Sequence, residues 1–168
     1  MYLEANINEF YRRALDDEET VTHNDDPDSI FTESFYQNLH ADNTDFSRYD
    51  LRSQYRKFLD YAGEDRFDED EEPWDSFDLL IEWRNHFVHF ESEYHDATPD
   101  PNPHGLVNRL AEKHVSSNPW LPADKMTYPH QAFGPGLTSW AVHAAVNLTD
   151  DFHSRVGSDR RYDRICPW

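Results

Sequence analysis

The chain is poor in cysteine, lysine and long apolar runs. Cys166 is its one cysteine among 168 residues, so no intramolecular disulfide and no cysteine-based zinc site can form. No apolar run approaches the roughly 18 residues of a membrane span, which excludes a spanning helix. The opening MYLEANINEF lacks both a basic and an apolar region of the kind a signal peptide needs, so a cytoplasmic protein is expected. Lysine is scarce, with Lys57, Lys113 and Lys125 against twelve arginines. Stretches of alternating apolar and polar residues are also missing, as are repeats, which argues against a sheet.

Carboxylates and aromatics are abundant. Asp and Glu total 34 against 15 Lys and Arg, a formal net charge of −19. Eleven Phe, nine Tyr and five Trp separate this chain from a disordered acidic tail and predict a folded core. Arginine in preference to lysine, among scattered acids, resembles the surface of a halophilic protein from a salt-rich cytoplasm. The one dense acidic run, Glu64 to Glu72, reads as a solvated stretch leading into a helix start, where the macrodipole favours negative charge.

Helical periodicity recurs along the chain. Leu3, Ile7, Phe10, Tyr11 and Ala14 share a face over residues 2 to 16. Further helices are predicted over Ser29 to His40, Phe46 to Ala62 with a stop at Gly63, Pro73 to Tyr94, Leu106 to Val115, and Gly136 to Val156 with a stop at Gly157. Proline-rich connections fill 97–105 and 116–135. The expected fold is all-α, a single-domain bundle of about five helices over 1–157, followed by a polar, Arg-rich tail over 158–168.

The helix predicted from Pro73 to Tyr94 is apolar on two sides. Phe77, Leu80, Ile81 and Val88 form one face, with Arg84 near its middle. Leu79, Trp83 and Phe90 form a second patch, and Asp78, Glu82, Asn85 and His89 a polar stripe between them. An arginine in an apolar stripe is costly unless paired, because it cannot shed its charge. The bland account is a snorkelling or paired core arginine.

Arg84-Asn85-x-x-x-His89, late in a long helix of a small all-α chain, resembles the R-N-x3-H motif of the HEPN superfamily of ribonucleases and nucleotide-binding domains. The long final helix, with Trp140 near its start, fits the same context. The resemblance implies metal-independent endoribonuclease activity on single-stranded or loop RNA, with no cofactor. In that scheme His89 moves the proton, Arg84 clamps the scissile phosphate and Asn85 orients the two. It also implies a homodimer that brings two motifs together, and a toxin or antiviral effector restrained by an antitoxin-type partner. The alternative within the family is a non-catalytic nucleotide- or RNA-binding domain, or a dimerising scaffold. An unrelated helical interaction module is a third reading.

The residue types suit the chemistry. RNA supplies its own 2′-hydroxyl nucleophile, an imidazole titrates near neutrality, and a guanidinium presents a rigid fork to phosphate. Arg84 and His89 lie about 140° apart on an ideal helix, so a composite site between two copies is expected, with the Leu79, Trp83 and Phe90 patch as the contact surface. Glu82, on the stripe with Asn85 and His89, is a supporting candidate. Glu82, His86 and His89 could in principle hold a metal, but the spacing of carboxylate-bridged bundles is missing and no metal is expected. His86 reads as a packing or interface histidine. Arg48, Arg52 and Arg56, at intervals of four, are candidate RNA contacts that read equally as surface ion pairs.

Overall fold

The computed structural model describes residues 2–20, 31–42, 45–88, 106–113, 115–116, 118–120 and 133–158. The described residues contain six α-helices, one 3-10 turn and no strand, in agreement with the all-α pattern. They are α1 (Tyr2–Thr20), α2 (Glu33–Ala41), the 3-10 turn Phe46–Arg48, α3 (Leu51–Ala62), α4 (Trp74–Val88), α5 (Leu106–Glu112) and α6 (Pro135–Arg155). The chain divides into two compact units. One comprises Met1–Asp68 with Leu148–Trp168, the other Glu69–Asn147. The tail predicted over 158–168 lies outside the described residues apart from Ser158.

In the first unit, the stripe Leu3, Ile7, Phe10 and Ala14 of α1 is buried, as its spacing predicts. Phe10 meets Phe58 of α3 and Phe152 of α6 edge-on, at centroid distances of 5.7 and 5.3 Å. Phe58 and Phe152 close the triangle at 5.5 Å. Such pairs contribute about 0.5–1.5 kcal/mol each beyond the area they bury, so burial of the three rings dominates. The buried Tyr55 hydroxyl donates to the Leu3 carbonyl at 3.2 Å, joining α3 to α1.

Capping side chains set the local boundaries. Helix α2 starts later than Ser29 because Thr32 caps it, its hydroxyl accepting from the Phe35 amide at 3.2 Å. The single helix expected over 46–62 is two elements. Asp45 accepts from the Ser47 amide at 3.0 Å and Asp50 from the Ser53 amide at 2.9 Å, so each starts its own turn. Tyr49 and Asp50 between them are non-helical. Gly63 (φ +74°) ends α3 and Gly157 (φ +66°) follows α6, as expected. In both, the residue after the glycine donates back to a carbonyl of the last turn, Glu64 to Leu59 at 3.0 Å and Ser158 to His153 at 2.9 Å. Asp42, just past α2, gathers the hydroxyls of Tyr49 and Tyr61 at 2.9 Å and the Lys57 ammonium at 2.7 Å.

In the second unit, Pro73 stands immediately before α4, and its carbonyl accepts from the Phe77 amide at 3.1 Å. Leu79 and Trp83 of α4 are buried with Leu106 and Leu110 of α5, and Val115, Leu137 and Trp140 pack around them. At the start of α6, a Cβ on Gly136 would lie 2.5 Å from the Ser116 carbonyl oxygen, so that crossing requires glycine.

Candidate functional site

Helix α4 carries Arg84 and Asn85 near the end of its described length. Arg84 is exposed, and its Nη1 donates to the Asn85 side-chain oxygen at 3.2 Å. His89 and Phe90 lie outside the described residues. His86 is half-buried.

The reading of Arg84 as a cation within a buried stripe needs correction. Trp74 and Phe77 are buried, but Leu80 and Ile81 are only half-buried and Val88 is 63% exposed. The face is covered over its first turns and open beyond them. Arg84 therefore keeps its hydration, and no buried carboxylate is needed to hold it. No carboxylate of the described residues pairs with it.

The second patch also differs from expectation. Leu79 and Trp83 were predicted to offer a surface to another copy, yet Leu106 and Leu110 of the same chain cover both. That patch is intramolecular core, because α5 supplies leucines at an i, i+4 spacing that fits against it.

Beside this core runs an ion ladder that the sequence reading missed. Arg109 of α5 donates from Nη1 to Glu82 at 2.7 Å and from Nη2 to Asp75 at 2.8 Å, with Asp78 at 3.5 Å. Lys113 pairs with Asp75 at 2.6 Å and with Glu72. Burial alone would raise the Asp75 carboxyl, but hydrogen bonds from Lys113 and Arg109, and their charge, hold it below the usual range. Burial would lower Arg109 and Lys113. The carboxylates outweigh it and hold both cations above their usual values. The signal in the sequence was the pair of matching stripes, Asp75, Asp78 and Glu82 against Leu106, Arg109, Leu110 and Lys113.

Glu82 is thus engaged by Arg109. Arg84 lies about 120–180° around α4 from Asp75, Asp78 and Glu82, so its guanidinium faces away from the ladder. The arrangement offers an anion an exposed fork, steadied by one neutral amide and turned away from the helix's own carboxylates.

The other arginine candidates belong to the first unit. Arg48 is exposed in the 3-10 turn, while Arg52 and Arg56 are half-buried on α3. The Asp50 cap separates Arg48 from the helix, so the three do not form one helical strip. Asp45 beside them is held low by hydrogen bonds from the Ser47 hydroxyl and amide, with the Arg48 charge adding to them. Arg155 pairs with Asp151 at 2.9 Å, donates to the Asp65 carbonyl at 3.0 Å and lies 4.6 Å from the centre of the Phe67 ring. Thr138 donates back to the Gly134 carbonyl at 3.4 Å, in keeping with a first-turn helical residue.

Among the described residues, no three His, Cys, Asp or Glu side chains are gathered so as to hold a metal ion. No described helix is long and apolar enough to cross a membrane. No family model matches the chain, and the comparisons find no similar curated protein and no similar solved structure.

Proposed function

We propose that the chain is a metal-independent endoribonuclease of HEPN type, acting on single-stranded or loop RNA in the cytoplasm. The observation that carries this reading is the exposed Arg84 fork, bonded to Asn85 and facing away from the carboxylates of α4. In this reading Arg84 holds the scissile phosphate and stabilises its developing charge. Asn85 fixes the guanidinium, and His89 moves a proton at the 2′-hydroxyl or the leaving 5′-oxygen. A homodimer through α4 supplies the second motif. The open Leu80, Ile81 and Val88 face is the surface that supports it, in place of the covered Leu79 and Trp83 patch. Such an activity belongs to a toxin or antiviral effector, and an antitoxin-type partner would restrain it.

The net charge of −19 does not argue against RNA in a salt-rich cytoplasm. Repulsion reaches about 10 Å at 0.1 M salt and about 3 Å at 1 M, so at high salt only charges near contact decide binding. The test is cleavage of labelled single-stranded RNA in EDTA and molar KCl by the wild type and by His89→Ala. Cleavage by the wild type alone supports the proposal. Binding without cleavage by either chain assigns the non-catalytic RNA-binding reading.

A further inference from the structure

The carboxylates are not spread evenly along the chain. It carries 34 acids in 168 residues, yet Asp124 is the one carboxylate of residues 113–149, against Lys113 and Lys125. All but the last two of those residues belong to the second unit, which also carries Arg84. This is the longest acid-poor stretch of the sequence, and its own residues do not repel a polyanion.

Trp120 lies in that stretch. Its side chain is 74% exposed, the most of any large apolar side chain among the described residues. The backbone beneath it is nevertheless fixed. The Trp120 amide donates to the side-chain oxygen of buried Asn118 at 2.9 Å. A Cβ on Gly134 would lie 3.0 Å from the Asn118 Cα, just as one on Gly136 would meet Ser116. The pairs Ser116–Gly136 and Asn118–Gly134 step in opposite directions, so the two segments run antiparallel in close approach, with glycine at both contacts. That register continues to Pro119 opposite Phe133, which is itself 45% exposed. The Gly134 carbonyl in turn accepts from the Thr138 amide at 3.2 Å, tying the stem to the start of α6.

A pre-positioned indole in water, with a second ring beside its stem and few carboxylates in the stretch that bears it, suits an unstacked base of a single strand. Bases stack on aromatic faces whatever their identity, and their phosphates need an approach without like charge. We infer that Trp120 is a base-stacking residue for the strand whose phosphate Arg84 holds. This rests on the reading of the chain as an RNA-acting protein and adds a substrate-binding residue to it. Val115 packs against the core that holds Trp83, next to Arg84. Five residues span at most about 18 Å, so a short strand is long enough to join Arg84 and Trp120.

The probe is a fluorescein-labelled ten-nucleotide adenosine oligomer with 2′-O-methyl groups, which lacks the nucleophile and stays intact. Its anisotropy is read on the full-length wild type, Trp120→Ala and Trp120→Phe in EDTA and molar KCl. Trp120→Ala binds it at least about fivefold more weakly than the wild type, whereas Trp120→Phe keeps a ring and stays within about twofold. An abasic oligomer of the same length offers phosphates without bases, and binds the wild type and Trp120→Ala alike. Equal affinity of the wild type and Trp120→Ala for the adenosine oligomer overturns the inference. So does an equal loss in both variants, a matching loss with the abasic oligomer, or binding to none of the chains. Cleavage of unmodified RNA separates this inference from the ribonuclease reading. A wild type that binds through Trp120 without cleaving keeps the stacking role and overturns the nuclease, whereas cleavage with unchanged affinity in Trp120→Ala does the reverse.

Discussion

Replacing Arg109 with glutamine removes the centre of the α4–α5 ladder while keeping much of the side-chain stem. Arg109 makes charge-assisted bonds of 2.7 Å to Glu82 and 2.8 Å to Asp75. Bonds of this kind contribute about 1.5–3 kcal/mol when protected from solvent, whereas exposed ion pairs contribute about 0.2–1. The Arg109 side chain is 32% exposed, so each bond falls between those limits, at about 1 kcal/mol. Asp78 at 3.5 Å adds little. The sum is about 2 kcal/mol, which for a chain of this size lowers Tm by roughly 4–8 °C. Thermal unfolding followed by tryptophan fluorescence reads it, since Trp83 and Trp140 both belong to this core. A double-mutant cycle with Glu82→Gln isolates the pair and is expected to show a coupling of at least about 0.5 kcal/mol. The loss should narrow in molar KCl, where the screening length approaches the contact distance. A Tm within about 1 °C of wild type, or no coupling between Arg109 and Glu82, would refute the reasoning.

Three further outcomes are expected. Asp75 has its folded-state pKa lowered, so its contribution is present above the unfolded value near 4 and is lost as pH falls through the folded value. Acid titration of stability should therefore be shallower below about pH 4 in Asp75→Asn than in wild type, and parallel curves would contradict this. Asp42→Ala strips acceptors from Tyr49, Tyr61 and Lys57 at a side chain only 12% exposed, and should cost about 2–4 kcal/mol in urea unfolding. A loss under about 0.5 kcal/mol would show that water replaces the carboxylate without penalty. With a net charge of −19, self-repulsion should make the wild type melt at lower temperature in dilute buffer than in molar KCl, and an unchanged Tm removes the argument for salt adaptation.

The elements that the sequence makes legible are those fixed by local pattern. The stripe of α1, the glycine stops at 63 and 157 and the start of α6 near Pro135 are written in spacing and in φ requirements, and need no partner to be seen. The break at Tyr49 and Asp50 is hidden because the apolar stripe continues across it. Only the competition of Asp45 and Asp50 for nearby amides reveals it. The environment of Arg84 is illegible for a different reason. A stripe on one helix does not say how far along it a neighbour reaches, and here cover ends before Arg84. The ladder joins residues as far apart as Glu72 and Lys113, so its two halves read separately as unremarkable surface charge. The bond from Arg84 to Asn85 gives the guanidinium an orientation that spacing alone could not supply.

The central claim is that Arg84 and His89 act on the scissile phosphate of RNA. The most direct measurement compares single-turnover cleavage by the wild type, Arg84→Ala and His89→Ala in EDTA and molar KCl, with the product ends identified by mass. The account predicts 2′,3′-cyclic phosphate ends from the wild type, and a rate lower by at least about a hundredfold in either variant. Cleavage by Arg84→Ala at the wild-type rate, or 3′-hydroxyl ends from the wild type, would contradict it.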